Sequence, residues 1–263
     1  MTPPAMFPFG QPVLPRPASA DGPRRCFLLG AYPSALHVRW APPPGPYRPI
    51  RAVPVDNEPE PFWDGADQER RVERWRAEVG FDEAWGMVAP AGGLNGSSGR
   101  WVDRQVLDPL GLTREEVWIT DCLTTYRRSV PVHARIEDTY NPFARDVGLP
   151  VARLAEHPDE EDIVAEALAE RHRLLEELER ARPEQVITLG RAALRVLGHL
   201  VEVAGEHPCL ELQAMDGYGR PVGVRVGDRS AVWLALAHPG APMPYQTGHA
   251  RWVEDRRAGR WLA

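Results

Sequence analysis

The sequence contains no lysine: all 31 basic side chains among its 263 residues are arginine. A phosphate loop of the Gly-Lys-Ser/Thr kind is therefore absent. The residues after Gly30 do not continue as G-x-G-x-x-G either, which argues against an ATP or dinucleotide site. Arginine offers instead a planar fork suited to phosphate. Cysteine is scarce. Cys26, Cys122 and Cys209 are the only three, and no C-x-x-C pair exists. A zinc ribbon and an all-cysteine iron–sulfur cluster are not expected, and two of the three thiols, in or beside predicted strands, read as buried and inert. No run of about 18 apolar residues is present, so no membrane-spanning helix is expected. The N-terminus lacks a basic segment followed by an apolar one. It reads as a Pro-rich arm, and cytoplasmic residence is expected.

The apolar fraction of 43% is enough for a buried core. The net charge of −6 is unevenly spread: residues 156–184 hold eleven acidic and four basic side chains, leaving 26 acids and 27 bases elsewhere. A near-neutral remainder can still present a basic face to an anionic partner.

Of four apolar segments, three end abruptly in loops of small or polar residues and one, ARPEQVITLGRAAL, has a strand that runs straight into a helix, the habit of parallel strands in an open α/β sheet. The expected fold is a single α/β domain with a central four-stranded parallel sheet flanked by helices. Its strands lie at about 26–29, 117–120, 185–189 and 232–237. Residues 1–24 are the arm and 25–263 the domain, with insertions at about 35–91 and 129–158. The Pro-rich stretch 35–66 and residues 129–158 read as irregular loops. Helices are expected over 67–79, from Ser97 or Ser98 (as cap) to Leu110, over about 160–181, after Gly190, and over 246–262. Segments 209–215 and 221–226 read as a hairpin around Asp216-Gly217-Tyr218-Gly219-Arg220.

Three motif blocks carry a resemblance. Leu94-Asn95-Gly96-Ser97-Ser98-Gly99 opens a helix that leads to Ile119-Thr120-Asp121. Pro183 to Ala193 follows a Pro-x-x-Val-Ile-x-Leu-Gly-x-x-Ala pattern. Ala237-His238-Pro239-Gly240 ends the last strand. In this order they resemble the uracil-DNA glycosylase superfamily, over roughly residues 25–34 and 92–250, and suggest a divergent bacterial member. The resemblance implies a monofunctional enzyme that flips a base from DNA and hydrolyses its N-glycosidic bond. Tyr126 stands where a cluster cysteine would be, so no iron–sulfur cluster, metal or other cofactor is implied. DNA is the implied partner, no membrane is involved, and the protein is expected as a monomer.

Residue by residue, the resemblance makes Gly30, Ala31, Tyr32, Pro33 and Ser34 the cradle for the base. Ala31 and Tyr32 occupy positions where the family usually carries Asp, Glu or Asn. The carboxylate that orients water must then come from elsewhere, and Asp56 and Glu58 are the candidates. Asp121 stands at the base-reading asparagine. A carboxylate only accepts hydrogen bonds, which suits an exocyclic amine and points to a cytosine-type or modified base rather than uracil. His238 is the donor to the departing base. Leu94 replaces a stacking aromatic, with Asn95 beside it, so a ring is needed from Tyr32 or an insertion. Met243, Tyr245 and Arg251 are candidate wedge or phosphate contacts, and Arg127, Arg128 and Arg191 further DNA contacts. Two other readings stay open. One is a protein of this fold that binds nucleic acid or nucleotide without cleaving it. The other is an unrelated nucleotide-binding α/β protein.

Overall fold

A computed structural model of the chain describes residues 4–205 and 218–260. Among the described residues, nine strands form two sheets. The larger contains β1 (Cys26–Gly30), β5 (Val117–Asp121), β6 (Gln185–Leu189), β7 (Glu202–Val203), β8 (Val222–Val226) and β9 (Arg229–Leu236), in the order β5-β1-β6-β9-β8-β7. The four expected strands are all there and mutually parallel, with Gly30 opposite Asp121 and Leu189 opposite Leu236. The sheet nevertheless has six strands, not four, because β8 and β7 extend one edge in antiparallel register. The expected hairpin partner of β8, residues 209–215, lies outside the described residues; β8 pairs with β7 on one side and β9 on the other.

The inner strands are buried on both faces, as the runs Cys-Phe-Leu-Leu and Val-Ile-Thr-Leu dictate. Helices α6 (Glu160–Ala169), α7 (Arg171–Ala181), α8 (Arg191–Gly198) and α9 (Tyr245–Arg257) cover the sheet together with the helix from Ser97. Residues 160–181 are thus two helices and not one; the chain breaks at Glu170, whose backbone leaves helical values at φ −104° and ψ 22°. The helix from Ser97 comprises α2 (Ser97–Val102), a π-helical turn at Asp103–Leu107 and α3 (Asp108–Leu110). Its N-cap is Gly96, with φ 69°, and no serine side chain caps it.

The two stretches expected as irregular are ordered. β2 (Ala35–Ala41), β3 (Ile50–Asn57) and β4 (Met87–Pro90) form a three-stranded antiparallel sheet in the order β3-β2-β4. The prolines that mask this hairpin sit in its 42–49 connection, while Pro54 lies next to a register shift where a missing N–H does little harm. Helix α1 (Gln68–Glu78) packs here through Val72 and Trp75. The second insertion holds α4 (Val130–Arg135), a π-turn at Ile136–Tyr140 and α5 (Asn141–Val147). Together these make a second core around Phe9, Trp40, Trp75, Tyr140 and Phe143.

The described part of the N-terminal arm packs against the domain. β5 is the outer parallel strand, and the arm caps its free edge: Ser19 N–H donates to the Ile119 carbonyl and Ile119 N–H to Ser19 Oγ, both at 2.9 Å. Among the described residues no helix is long and apolar enough to cross a membrane.

Candidate functional site

All four parallel strands point the same way, so Gly30, Asp121, Leu189 and Leu236 finish on one edge. Beyond that edge opens a cleft of about 940 Å3. Its walls come from Ala31–Ser34, Gly190–Ala192, Ala237, His238 and Gly240–Pro242, with Tyr126 beside them and the two insertions contributing His37, Arg135 and His157. The volume falls within the range of small-molecule and cofactor sites.

His238 reaches the cleft directly. Its Nδ1 accepts the Gly240 N–H at 3.1 Å, so the neutral ring carries its proton on Nε2. The ring is exposed to the cleft, yet the protein packed around it lowers its proton affinity below the ordinary histidine value. It presents a neutral N–H donor. Gly190 makes room for it: with φ +89°, its own Cβ would meet His238 Cβ at 3.2 Å.

At the opposite end of the row, Asp121 is 5% exposed and does not line the open cleft. Its Oδ1 has no hydrogen-bond partner. Burial raises its pKa to about 7; Arg173 opposes that shift and Glu177 adds to it. Arg173 also donates to the Asp121 carbonyl at 2.8 Å, the Cys122 carbonyl at 2.7 Å and Glu177 Oε1 at 2.8 Å, clamping the strand end from α7.

A second buried carboxyl, Glu58, feels the charge of Asp121. It is 4% exposed, and its Oε1 accepts the Ser34 N–H at 2.8 Å. Burial and the charge of Asp121 hold its carboxyl well above the usual range, against the Ser34 N–H and Arg16. Asp56 differs. It sits on β3, accepts the Asn57 N–H at 2.7 Å, and its electrostatic neighbours are Gln11 on the arm and Glu78 on α1. Like Glu58, Asp56 is not part of the cleft wall; the two carboxylates differ in surroundings because β3 ends at Asn57, so Glu58 escapes the alternation that would set residues two apart on one face.

Asn95 is also removed from substrate contact. Its amide accepts the His37 N–H at 2.9 Å and donates to the His37 carbonyl at 2.9 Å and Gln68 Oε1 at 3.0 Å, tying β2 to the loop before α2. Leu94 lines the cleft but is 47% exposed and supplies no ring. Tyr32 lines the cleft as well, with its hydroxyl 3.2 Å from His157 Nε2.

Beside Gly30 lies Phe62, an aromatic ring that the motif blocks did not reveal. It is 7% exposed, and a Cβ built on Gly30 would collide with Asp121 Oδ1 and lie 2.6 Å from Phe62 Cε2. The absence of a side chain at Gly30 therefore leaves room for Phe62 and Asp121 together at the end of β1. Phe62 sits at φ 54°, a strained backbone for a bulky residue. Its segment is held by Arg114 Nη2 on the Phe62 carbonyl at 2.7 Å and Arg100 Nη1 on the Asp64 carbonyl at 2.5 Å. The G-x-x-G of Gly96 and Gly99 in the first motif block serves the same end. Side chains at Gly96 or Gly99 would run into the backbone of residues 62–65. Gly99→Ala is accordingly expected to destabilise the fold by about 1–3 kcal/mol, the scale of overpacking, measurable as a lower urea midpoint. The one signal for Phe62 in the sequence is an aromatic residue stranded in a charged, proline-rich loop.

The arginines proposed for DNA are mostly engaged. Arg127 pairs with Glu166, and Arg191 with Glu160 at 3.1 Å. Arg128 donates to the Leu154 carbonyl at 2.7 Å and to Glu156 at 3.0 Å. Arg135, not anticipated, lines the cleft with no ion pair among the described residues. Tyr245 lines the cleft, Met243 is 66% exposed on the loop leading to α9, and Arg251 is exposed on α9 away from the cleft wall.

What the fold and site define is an α/β protein with a deep cleft at the carboxyl ends of its parallel strands. No protein-family model matches the chain, and no curated protein matches it.

Proposed function

We propose that the chain is a DNA glycosylase that hydrolyses the N-glycosidic bond of a base flipped into the strand-end cleft. The observation that carries this reading is the pairing of chemistries along one sheet edge: a neutral N–H donor at His238 and a buried, unpartnered carboxyl oxygen at Asp121. A departing base accumulates negative charge, which a fixed donor stabilises. An unpartnered acceptor in a buried position asks for a donor on the ligand, because leaving it unmet costs about 1–3 kcal/mol. The resemblance of the motif blocks to the uracil-DNA glycosylase superfamily supports the same reading. The strand ends that carry these groups are three inter-strand spacings apart, about 14 Å. A nucleotide lying across β1 and β6 bridges them through the two side chains.

The substrate class in this proposal is a cytosine-type or modified base with an exocyclic amine. As a carboxylate, Asp121 accepts from that amine. Phe62 supplies the ring beside it. Glu58 orients water from behind the Ser34 loop, and it does so only when ionised.

Two substitutions separate the carboxylates. Glu58→Gln is expected to lower excision by about 100-fold or more, while Asp56→Asn leaves it at the parent level. The rate of the parent should climb with pH through a range well above the usual carboxylate one, because burial and the charge of Asp121 hold the Glu58 proton there. Equal effects from the two variants, or a flat pH profile, would remove Glu58 from the mechanism.

One observation favours a second reading, binding without cleavage. Neither Glu58 nor Asp121 lines the open cleft, and the carboxylates that do are committed: Asp159 caps α6, and Glu160 pairs with Arg191 and Arg195. Duplexes bearing uracil, hypoxanthine, cytosine and modified cytosines, treated with protein and then alkali, decide between them. Strand breaks support the glycosylase. Retention of the duplex with every base intact supports the binding module.

A further inference from the structure

Behind His238 runs a buried hydrogen-bond chain that the cleft does not use. The Tyr218 hydroxyl accepts the Ala237 N–H at 2.7 Å and lies 2.6 Å from His249 Nδ1. His249 Nε2 lies 3.0 Å from the Gln105 carbonyl. A carbonyl can only accept, so the His249 proton sits on Nε2. Nδ1 is then bare and takes the Tyr218 proton, and the hydroxyl's lone pair receives Ala237. One tautomer and one direction satisfy every group in the chain.

The chain is anchored at both ends by irregularity. The Gln105 carbonyl belongs to the π-turn at Asp103–Leu107, where the helical ladder is displaced. The neighbouring Arg104 carbonyl of the same turn accepts Arg257 Nη2 at 3.1 Å, a second tie from α9. His249 itself is 4% exposed, between Trp101 at 4.6 Å and Trp252 at 5.4 Å between ring centres. At the other end, β9 stops at Leu236, whose carbonyl receives the Gly190 N–H at 2.8 Å. Ala237 lies one residue past the sheet, and His238 is next. The last side-chain anchor before the His238 loop is thus the Tyr218 hydroxyl.

We propose that Tyr218 and His249 are positioning residues that fix the backbone from which His238 aims its Nε2–H. This rests on the reading of His238 as donor to the departing base. A displacement of about 1 Å in such a group can cost about 100-fold in rate.

Tyr218→Phe keeps the ring and deletes the hydroxyl. Two measurements are made on the full chain. One is the pair of ring-nitrogen shifts of His238 in 15N-histidine-labelled protein; the other is excision kinetics. In the parent, His238 is expected to show a single Nε2–H tautomer. In Tyr218→Phe the two nitrogen shifts should move towards each other, and kcat should fall roughly 10–100-fold with KM unchanged. His249→Gln, which can supply one acceptor and one donor, should retain more of both properties than His249→Ala. Unchanged His238 shifts and unchanged kcat in Tyr218→Phe would overturn the proposal. If the parent excises no base, the glycosylase reading fails, and the His238 shifts alone decide the positioning role. If Tyr218→Phe does not fold, the two His249 variants carry the same readouts, and equal behaviour of Gln and Ala would overturn it.

Discussion

His238→Ala is expected to lower base excision by about 10²–10³-fold while duplex affinity stays near that of the parent. The reason lies in how the ring is held. Gly240 N–H occupies Nδ1 at 3.1 Å and leaves Nε2–H facing the cleft. The surrounding protein keeps the ring neutral at physiological pH. A neutral donor aimed at a developing negative charge gains strength in the transition state and little in the ground state, so its loss falls on kcat. In the proposed complex, phosphate contacts fall to residues other than His238, so affinity is expected to be spared. Single-turnover excision and duplex titration measure the two effects separately. An alanine variant that cleaves like the parent would show that His238 is not the donor.

The sequence made His238 and Asp121 legible because each stands directly after a strand whose apolar run is unmistakable. Gly30 was legible for the same reason, although its consequence was not: the missing side chain admits Phe62 from the far side of the first insertion. Phe62 was hidden because the contact is tertiary and its loop has no period. The three-stranded sheet was hidden for a related reason. Prolines at positions 42–44, 46, 49 and 54 obscure the alternation of Ala-Leu-His-Val-Arg-Trp, yet five of them belong to the turn and one to an irregular pairing. Asp56 and Glu58 look equivalent in a line of text. The end of β3 at Asn57 separates them, one towards the arm and α1, the other towards Ser34. The arginines were the least legible. Their number suggests a basic face, but an acid on a neighbouring helix neutralises Arg127 and Arg191, and only the folded chain reveals which acid meets which base.

Asp121→Asn is expected to stabilise the protein at pH 8.5 relative to its effect at pH 4, by an amount of order 4 kcal/mol at most. In the unfolded chain this aspartate ionises near pH 4. In the folded chain, burial raises that value to about 7. Between the two values the folded state keeps a proton that the unfolded state has released. Parent stability therefore falls as pH rises from about 4 to about 7 and then levels off. Each pH unit of that interval is worth about 1.36 kcal/mol, which sets the upper figure. Asparagine does not titrate. Any change in packing from the new amide is independent of pH, so it cancels when the two pH values are compared. Part of the gain arrives through Glu58, whose ionisation the Asp121 charge also opposes. Urea unfolding of both proteins at pH 4 and 8.5 gives the comparison. The same variant tests the base-reading role, because an amide both donates and accepts and so suits uracil. Uracil excision should appear or rise. Parallel pH profiles would show that Asp121 does not hold the buried proton. A stabilised variant with unchanged base preference would show that the group is buried for the fold and does not touch the base.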